Sequence, residues 1–583
     1  MSTNGISTSQ RPELVSDSLP QERPGWIEMA TSSDHKDVGR LYIGAALSFL
    51  ALGLLQFLLI RLQLAVPENT MIEPVTFNRL LSVMSASLVV LFAVPLAIGL
   101  FTYIVPLQIG ARSLAFPKLA QLSAWLYILG GATLYVSFVY TPPEAGFNAL
   151  PPLSDTAFLD NNGVDVWITA VGLSALAFTL QAVNLIVTIS KMRAPGLAWR
   201  RLPMFSFSAS VSSWVMVVAG PAMLAALTML FIDRHFSGVF FDPQESGAPT
   251  YYQHLSWLFF TGCYLLFIIP AAGAISEILP TFSRKPLPSR GAVAASLVAI
   301  AALGMLAWMQ NMFTASIPVG FLYMAMAAAL LLIVPLGILF ANWLGTLAFG
   351  SIEMRAPMLF ALGAISTLSV GLLAELLHAV VPVNWLLADT TDATAASGYV
   401  FVGGAVLGGF AALYHWFPKI TGRTMGESLG RASFALILLG AHVTFLPMFL
   451  AGLEGQPVDV YKYFDTGNLG VLNLISSLGS LVLAAGILLT LVNLYASATS
   501  GARAGHDPWR GESLEWLALS PPPPHNFDVV PDVRSAEPMR DIRDAIRDRR
   551  ASPRAAETPD RAVRRSSAEA DTVDEPESGE PVA

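Results

Sequence analysis

Hydrophobic positions along the chain fall into twelve long runs that are separated by short polar segments. Each run has about 20 or more predominantly apolar residues, the length that an α-helix needs to cross ~30 Å of hydrocarbon. A membrane-spanning β-strand needs only about ten residues, so these lengths predict helices rather than a barrel. The predicted spans are 40–62, 78–107, 116–138, 165–190, 206–232, 252–280, 291–313, 319–349, 356–380, 396–416, 431–452 and 469–497.

The composition supports this pattern. Hydrophobic residues make up 54% of the chain and charged residues 13%, whereas charged residues are about 25% of a typical soluble protein. We therefore predict an all-α integral membrane protein, a bundle of twelve transmembrane helices. The chain has a single cysteine, Cys263, inside a predicted helix, which excludes an intrachain disulfide and a thiolate metal cluster.

The loops predict the orientation. Lysine and arginine concentrate in alternate loops, and aspartate and glutamate in the loops between them. The positive-inside rule therefore predicts that both termini are cytoplasmic. We expect the chain to lie in the plasma membrane of a cell. We predict a polar N-terminal segment (1–37), a transmembrane domain (38–500) and a cytoplasmic C-terminal segment (501–583). Composition predicts disorder after about residue 528, with Asp541–Arg550 as a possible short charged helix.

Several short polar and aromatic motifs stand at the ends of the predicted helices. In one of them, Gln253-His254-Leu255 opens the sixth helix, and Pro270 follows His254 by sixteen residues. Each motif is modest alone, but together they extend in order over residues 26–527. The main segments are Asp34–Gly39, Val105–Ala111, Tyr252–Trp257, Trp416–Arg423, Phe449–Leu453 and Asp507–Trp509.

This series of motifs resembles the haem-copper oxidase superfamily, and in particular cytochrome c oxidase subunit I. The resemblance implies twelve helices and six histidines, which hold two haems and a copper ion by their neutral ring nitrogens. In the register of His254 and Pro270, none of the six positions has a histidine. They are Met84, Thr261, Gln310, Asn311, Ala396 and Gly398.

Other positions that the resemblance makes functional are substituted as well. Cys263 occupies the position of the family's proton-handling glutamate, and Leu265 that of its redox tyrosine. Val458 and Asp459 occupy the positions of two arginines that face the haem propionates in the family. From these substitutions we predict a catalytically inactive homologue, with neither haem nor copper and with no catalytic residues. Its role would be structural, in assembly or in regulation of a respiratory electron-transport complex.

Two alternatives remain open. The chain is a transporter or channel that reuses the emptied core, or it is an oxidase subunit with non-standard metal ligation, for which Met84 is one potential ligand because methionine can bind haem iron. The expected partners are the lipid bilayer and other respiratory membrane subunits, and no nucleic acid.

Glu375 and His378 form the candidate polar pair, because ionisable groups inside a membrane are costly and often functional. They lie three residues apart on the ninth helix and therefore share a face. The functional interpretation is a proton or cation site near the outer surface, and the structural one is a mutually satisfied pair. Asp389 and Asp392, before the tenth helix, are a weaker candidate for a divalent cation.

Overall fold

Twelve helices long and apolar enough to cross a membrane form the body of the protein. The computed structural model describes residues 25–527, 529–530 and 532–551, so the predictions for residues 1–24 and 552–583 lie outside the described residues. The helices are α1 (His35–Gln63), α2 (Pro74–Ile109), α3 (Pro117–Val139), α4 (Gly163–Lys191), α5 (Met204–Phe236), α6 (Pro249–Ser283), α7 (Arg290–Met312), α8 (Val319–Leu347), α9 (Ala356–His378), α10 (Thr391–Thr421), α11 (Glu427–Leu453) and α12 (Leu469–Ser500). They confirm the predicted helical bundle.

A polar cap begins α1, and two of the central helices contain local irregularities. At the start of α1, the Asp34 side chain accepts a hydrogen bond from the backbone N–H of Lys36, which satisfies one of the free donors of a helix N-terminus. Two central helices widen into π-helical segments, Ser87–Ala93 in α2 and Val402–Gly408 in α10. Such widened turns often occur near functional sites.

Helices α2, α6 and α10 are the most deeply buried of the twelve. Glycines in α10 let it approach its neighbours closely. A Cβ on Gly403 would lie 2.7 Å from the backbone nitrogen of Leu368 in α9, and one on Gly404 would lie 2.3 Å from the carbonyl oxygen of Phe267 in α6. Small residues at such contacts are the usual device for packing helices in lipid, where apolar side chains gain little from leaving the solvent.

The chain after α12 packs under the end of the bundle that carries the basic loops. Asn526 is 1% exposed; its Nδ2 donates to the carbonyl oxygen of Ala111 at 2.8 Å, and its Oδ1 accepts from Lys36 Nζ at 3.3 Å. A buried side-chain amide such as that of Asn526 holds its segment in place. If the segment moved away, the polar atoms that it contacts would stay buried without a hydrogen-bond partner, which is costly. The segment is therefore part of the folded protein.

A further helix, Pro538–Ala551, follows in the region for which composition predicted disorder. Arg543 joins it to the preceding loop through Asp507 Oδ2 at 3.0 Å and Glu512 Oε2 at 2.9 Å. Val533 and Met539 are buried in the main hydrophobic core. The low hydrophobicity of this region excludes folding alone, but docking on the bundle supplies the missing apolar surface.

Candidate functional site

The positions that correspond to haem ligands in the resembled family lie in α2 and α10. The Met84 side chain is half-buried and packs in a small apolar cluster with Phe77 and Tyr463. Ala396 is fully buried and provides no donor atom. At Gly398 a Cβ would come within 2.3 Å of the Phe445 ring, so an aromatic side chain fills the space beside this glycine.

The centre of the bundle between α2, α6 and α10 is closely packed. It encloses a void of about 20 Å³ that Ala93, Pro270 and Gly408 help to line. A void of this size has room for about one water molecule, whereas pockets for cofactors and other small molecules usually measure ~300–1,000 Å³. This void therefore has room for a water molecule and not for a cofactor.

The three positions that correspond to copper ligands differ in how deeply they are buried. The Thr261 hydroxyl is buried and has no hydrogen-bond partner, while Gln310 is half-buried. Asn311 is exposed, and its side chain donates to the carbonyl oxygen of Trp308 in the turn that ends α7. Among the described residues no three His, Cys, Asp or Glu side chains converge as a metal site would require. The residues at these six positions therefore do not fit the family's haem and copper ligation, and no chemical step is assigned to them.

A polar cluster lies near these positions, at the end of the bundle that carries the acidic loops. The Tyr264 hydroxyl of α6 donates to Glu375 Oε1 of α9 at 2.7 Å, and the Ser397 hydroxyl of α10 donates to the same oxygen at 3.2 Å. The predicted partner of Glu375, His378, instead pairs through Nε2 with Asp392 Oδ2 at 2.8 Å. The structure thus brings both members of the predicted pair into one region but gives each of them a different direct partner.

The second predicted carboxylate pair is not formed. Asp392 is fully buried against α9 and α11, whereas Asp389 is exposed at the surface of the preceding loop. The backbone around them is fixed by the loop after α11, since the N–H of Val458 donates to the carbonyl oxygen of Asp389 at 3.0 Å and the N–H of Thr391 to that of Gln456 at 3.0 Å. This loop sets the direction in which Asp392 enters the bundle.

Tyr264, Ser397 and the buried position of Asp392 are the features that the sequence did not predict. Tyr264 directly precedes Leu265, the position of the family's redox tyrosine, and Ser397 lies between Ala396 and Gly398. The signal that the sequence offered was a hydroxyl side chain directly beside these substituted positions. The contacts themselves depend on how α6, α9 and α10 pack, which periodicity along one helix does not define.

Residues 37–482 match the family model described as "Cytochrome C and Quinol oxidase polypeptide I". The chain is 38% identical over 521 residues to the probable cytochrome c oxidase subunit 1-beta of Nocardia farcinica, covering 88% of each chain. It is 36% identical over 520 residues to cytochrome c oxidase subunit 1 of Thermostichus vulcanus, covering 88% of this chain and 94% of the relative.

A solved structure supports the same fold. A cryo-EM structure described as a haem-copper terminal oxidase dimer aligns with a TM-score of 0.68 at 14% sequence identity, and the alignment covers 81% of this chain and 85% of the other. At this identity the likeness establishes the arrangement of helices alone. It agrees with the twelve helices described above.

These comparisons contradict two predictions from the sequence. The prediction of a catalytically inactive homologue with a structural, assembly or regulatory role is wrong, because relatives at 34–38% identity over most of the chain are named cytochrome c oxidase subunit 1. The prediction that no haem or copper is used is contradicted by the same relatives, which belong to a family of oxidases. Both predictions rested on substitutions at expected ligand positions, but other side chains, methionine among them, also bind metals.

The match over 37–482, the identity shared with full-length relatives and the common fold agree with the motifs found along the sequence. Of the three functional interpretations considered, they favour the oxidase subunit. The chain belongs to the cytochrome c and quinol oxidase polypeptide I family.

Proposed function

We propose that the chain is the subunit I-type component of a membrane-bound terminal oxidase complex that takes electrons from cytochrome c or a quinol. The observation that carries this proposal is the identity of 36% over 520 residues with a cytochrome c oxidase subunit 1, at 94% coverage of that relative. Identity over nearly the full length of both chains is expected where the whole bundle serves the same assembly.

The arrangement of the chain supports a place among other membrane subunits. The bundle has many large apolar side chains on its outer surface, such as Leu373, Leu377 and Leu386 near the polar cluster, which are 63%, 46% and 78% exposed. These surfaces suit lipid and neighbouring helices. We place the chain in the plasma membrane. The basic loops support an orientation with both termini in the cytoplasm.

Because the six ligand positions do not fit the usual ligation, the proposal concerns the complex that contains this chain. Any haem or copper of that complex would supply the oxygen-reducing chemistry. The described residues of this chain supply the helical scaffold and a closely packed centre of the bundle, where the internal void has a volume of about 20 Å³.

The test is isolation of the complex from native membranes through an affinity tag on this chain, followed by oxygen-electrode measurements. We expect co-purifying oxidase subunits and cyanide-sensitive oxygen consumption with reduced cytochrome c or a quinol. Deleting the gene should remove that activity, and complementation should restore it. The matched control is complementation with Glu353→Gln, a surface position that is exposed and remote from the described cluster.

Two results would overturn the proposal. One is an isolated chain without respiratory partners, and the other is an isolated complex in which neither electron donor supports oxygen consumption. The orientation is tested separately with reporter fusions at the two termini and in the loop that contains Asp389. A periplasmic location of either terminus would contradict the basic-loop assignment.

A further inference from the structure

Five polar side chains from three helices meet at the acidic-loop end of the bundle. They are Tyr264 from α6, Glu375 and His378 from α9, and Asp392 and Ser397 from α10. Glu375 lies close enough to both His378 and Asp392 for their charges to interact. Nothing in the oxidase assignment gives these five residues a role.

The hydrogen bonds to Glu375 are asymmetric. The Tyr264 and Ser397 hydroxyls both donate to Oε1, at 2.7 and 3.2 Å, and no hydroxyl or amide of the described chain donates to Oε2. A protonated carboxyl group has this distribution, because its carbonyl oxygen accepts hydrogen bonds while the other oxygen carries the proton. The geometry thus leaves Oε2 as the atom that a proton would occupy.

The second half of the cluster is a buried ion pair. His378 Nε2 lies 2.8 Å from Asp392 Oδ2, and the two side chains are 5% and 0% exposed. Neither carboxylate oxygen of Asp392 has a hydrogen-bond partner among the described residues, so its contact with His378 is one of charge and proximity. Gly452 of α11 seals this site, since a Cβ there would lie 2.1 Å from the backbone nitrogen of Asp392. A buried carboxylate in this position requires a cation beside it.

The charges of the cluster do not balance when every group is ionised. Two carboxylates and one imidazolium sum to −1, and no Lys or Arg of the described chain forms an ion pair with Glu375 or Asp392. The neighbouring elements do not correct this. Helix α11 contributes His442, which is hydrogen-bonded to Tyr399 at 3.2 Å, and the short helix Val381–Leu387 contributes no ionisable group.

The basic residues of the surrounding helices lie at their opposite ends. Arg355 precedes α9, Lys419 lies in the last turn of α10, and Arg431 lies in the first turns of α11. Each is most of a helix length away from the cluster. An uncompensated negative charge buried between helices is costly, and the smallest cation that removes it is a proton.

We propose that these five residues form a proton-binding site that holds one exchangeable proton on Glu375 beside a charged His378–Asp392 pair. The proton comes from water at the acidic-loop end and returns to it, and no other reactant is needed. The surroundings favour a proton over a metal cation, because Glu375 Oε1 already accepts from two hydroxyls, Asp392 Oδ2 faces His378 at 2.8 Å, and no three His, Cys, Asp or Glu side chains of the described residues converge as metal ligands. This inference does not depend on oxidase activity.

The test is infrared spectroscopy of the purified complex at controlled pH, in H₂O and in D₂O. We expect the C=O stretching band of a protonated carboxyl group at about pH 7, shifted in D₂O and lost reversibly as the pH rises. Glu375→Gln should remove this band. The matched control, Glu277→Gln, removes another membrane carboxyl group that lies near the opposite end of α6 and should leave the band in place.

Asp392→Asn separates a proton-binding site from a merely structural cluster. It leaves Glu375 in place but removes one negative charge, so the remaining carboxylate and imidazolium balance and the band should weaken at about pH 7. Tyr264→Phe and Ser397→Ala remove one hydrogen bond each from the carbonyl oxygen and should raise the band's frequency. These variants also test the site if Glu375→Gln fails to fold.

Three outcomes would overturn the proposal. The first is the absence of a band that depends on Glu375 at about pH 7. The second is a band that is unchanged in Asp392→Asn and in both hydroxyl variants. The third is a band that responds to replacement of sodium by choline at constant pH, which would indicate a metal-cation site. Each result can be read whether or not the complex reduces oxygen.

Discussion

Substitution of Gly440 by alanine should destabilise the contact between α11 and α12. A Cβ at this position would lie 2.3 Å from the backbone nitrogen of Leu483 and 2.5 Å from its Cα. Ordinary van der Waals contact begins near 3.4 Å, so the two backbones would have to separate by about 1 Å. Because the obstructing atoms belong to the backbone of a long helix, a side-chain rotation cannot relieve the clash.

The magnitude follows from two opposing effects. Overpacking a close contact costs about 1–3 kcal/mol, and the upper part of this range applies where backbone must move. Alanine in place of glycine regains about 0.5–1 kcal/mol of helix stability. We therefore expect Gly440→Ala to lower the free energy of unfolding by about 2 kcal/mol.

The matched control is Gly337→Ala in α8, where a new Cβ has nothing within 4 Å. It should leave stability unchanged or raise it by up to about 1 kcal/mol. Unfolding is measured in a denaturing detergent series by the reaction of a maleimide dye with Cys263, the single and buried cysteine. The reasoning is refuted if Gly440→Ala unfolds at the same detergent concentration as the wild type or as Gly337→Ala.

Two further predictions concern polar contacts. Arg234→Met should destabilise the protein by about 2–3 kcal/mol, because it removes charged hydrogen bonds to Asp165 and to three backbone carbonyl oxygens. Arg79→Met, at the pair with Glu144, should cost at most about 1 kcal/mol, since the Arg79 side chain is 33% exposed and that of Arg234 only 2%. Equal thermal stability of the two variants would contradict this. Asn526→Ala should release the segment after α12 and speed its cleavage in limited proteolysis followed by mass spectrometry, while the exposed neighbour His525→Ala should not.

The sequence by itself determined the fold. Twelve apolar runs became twelve helices, with ends that differ by a few residues from the predicted bounds, because the length needed to cross hydrocarbon leaves little freedom. The motifs also identified the family. The motifs did not determine the function. The absence of histidine from six expected positions suggested an inactive protein, but the relatives are named oxidase subunits.

Only the tertiary structure decided the contacts of the polar residues. Glu375 and His378 share a helix face in the sequence, but Glu375 bonds to Tyr264 of α6 and His378 pairs with Asp392 of α10, contacts that depend on how these helices pack against α9. The helix Pro538–Ala551 likewise forms against a surface that its own residues do not provide. Local patterns set which segments become helices, whereas the partners of buried charges depend on the packing between helices that are distant in the sequence.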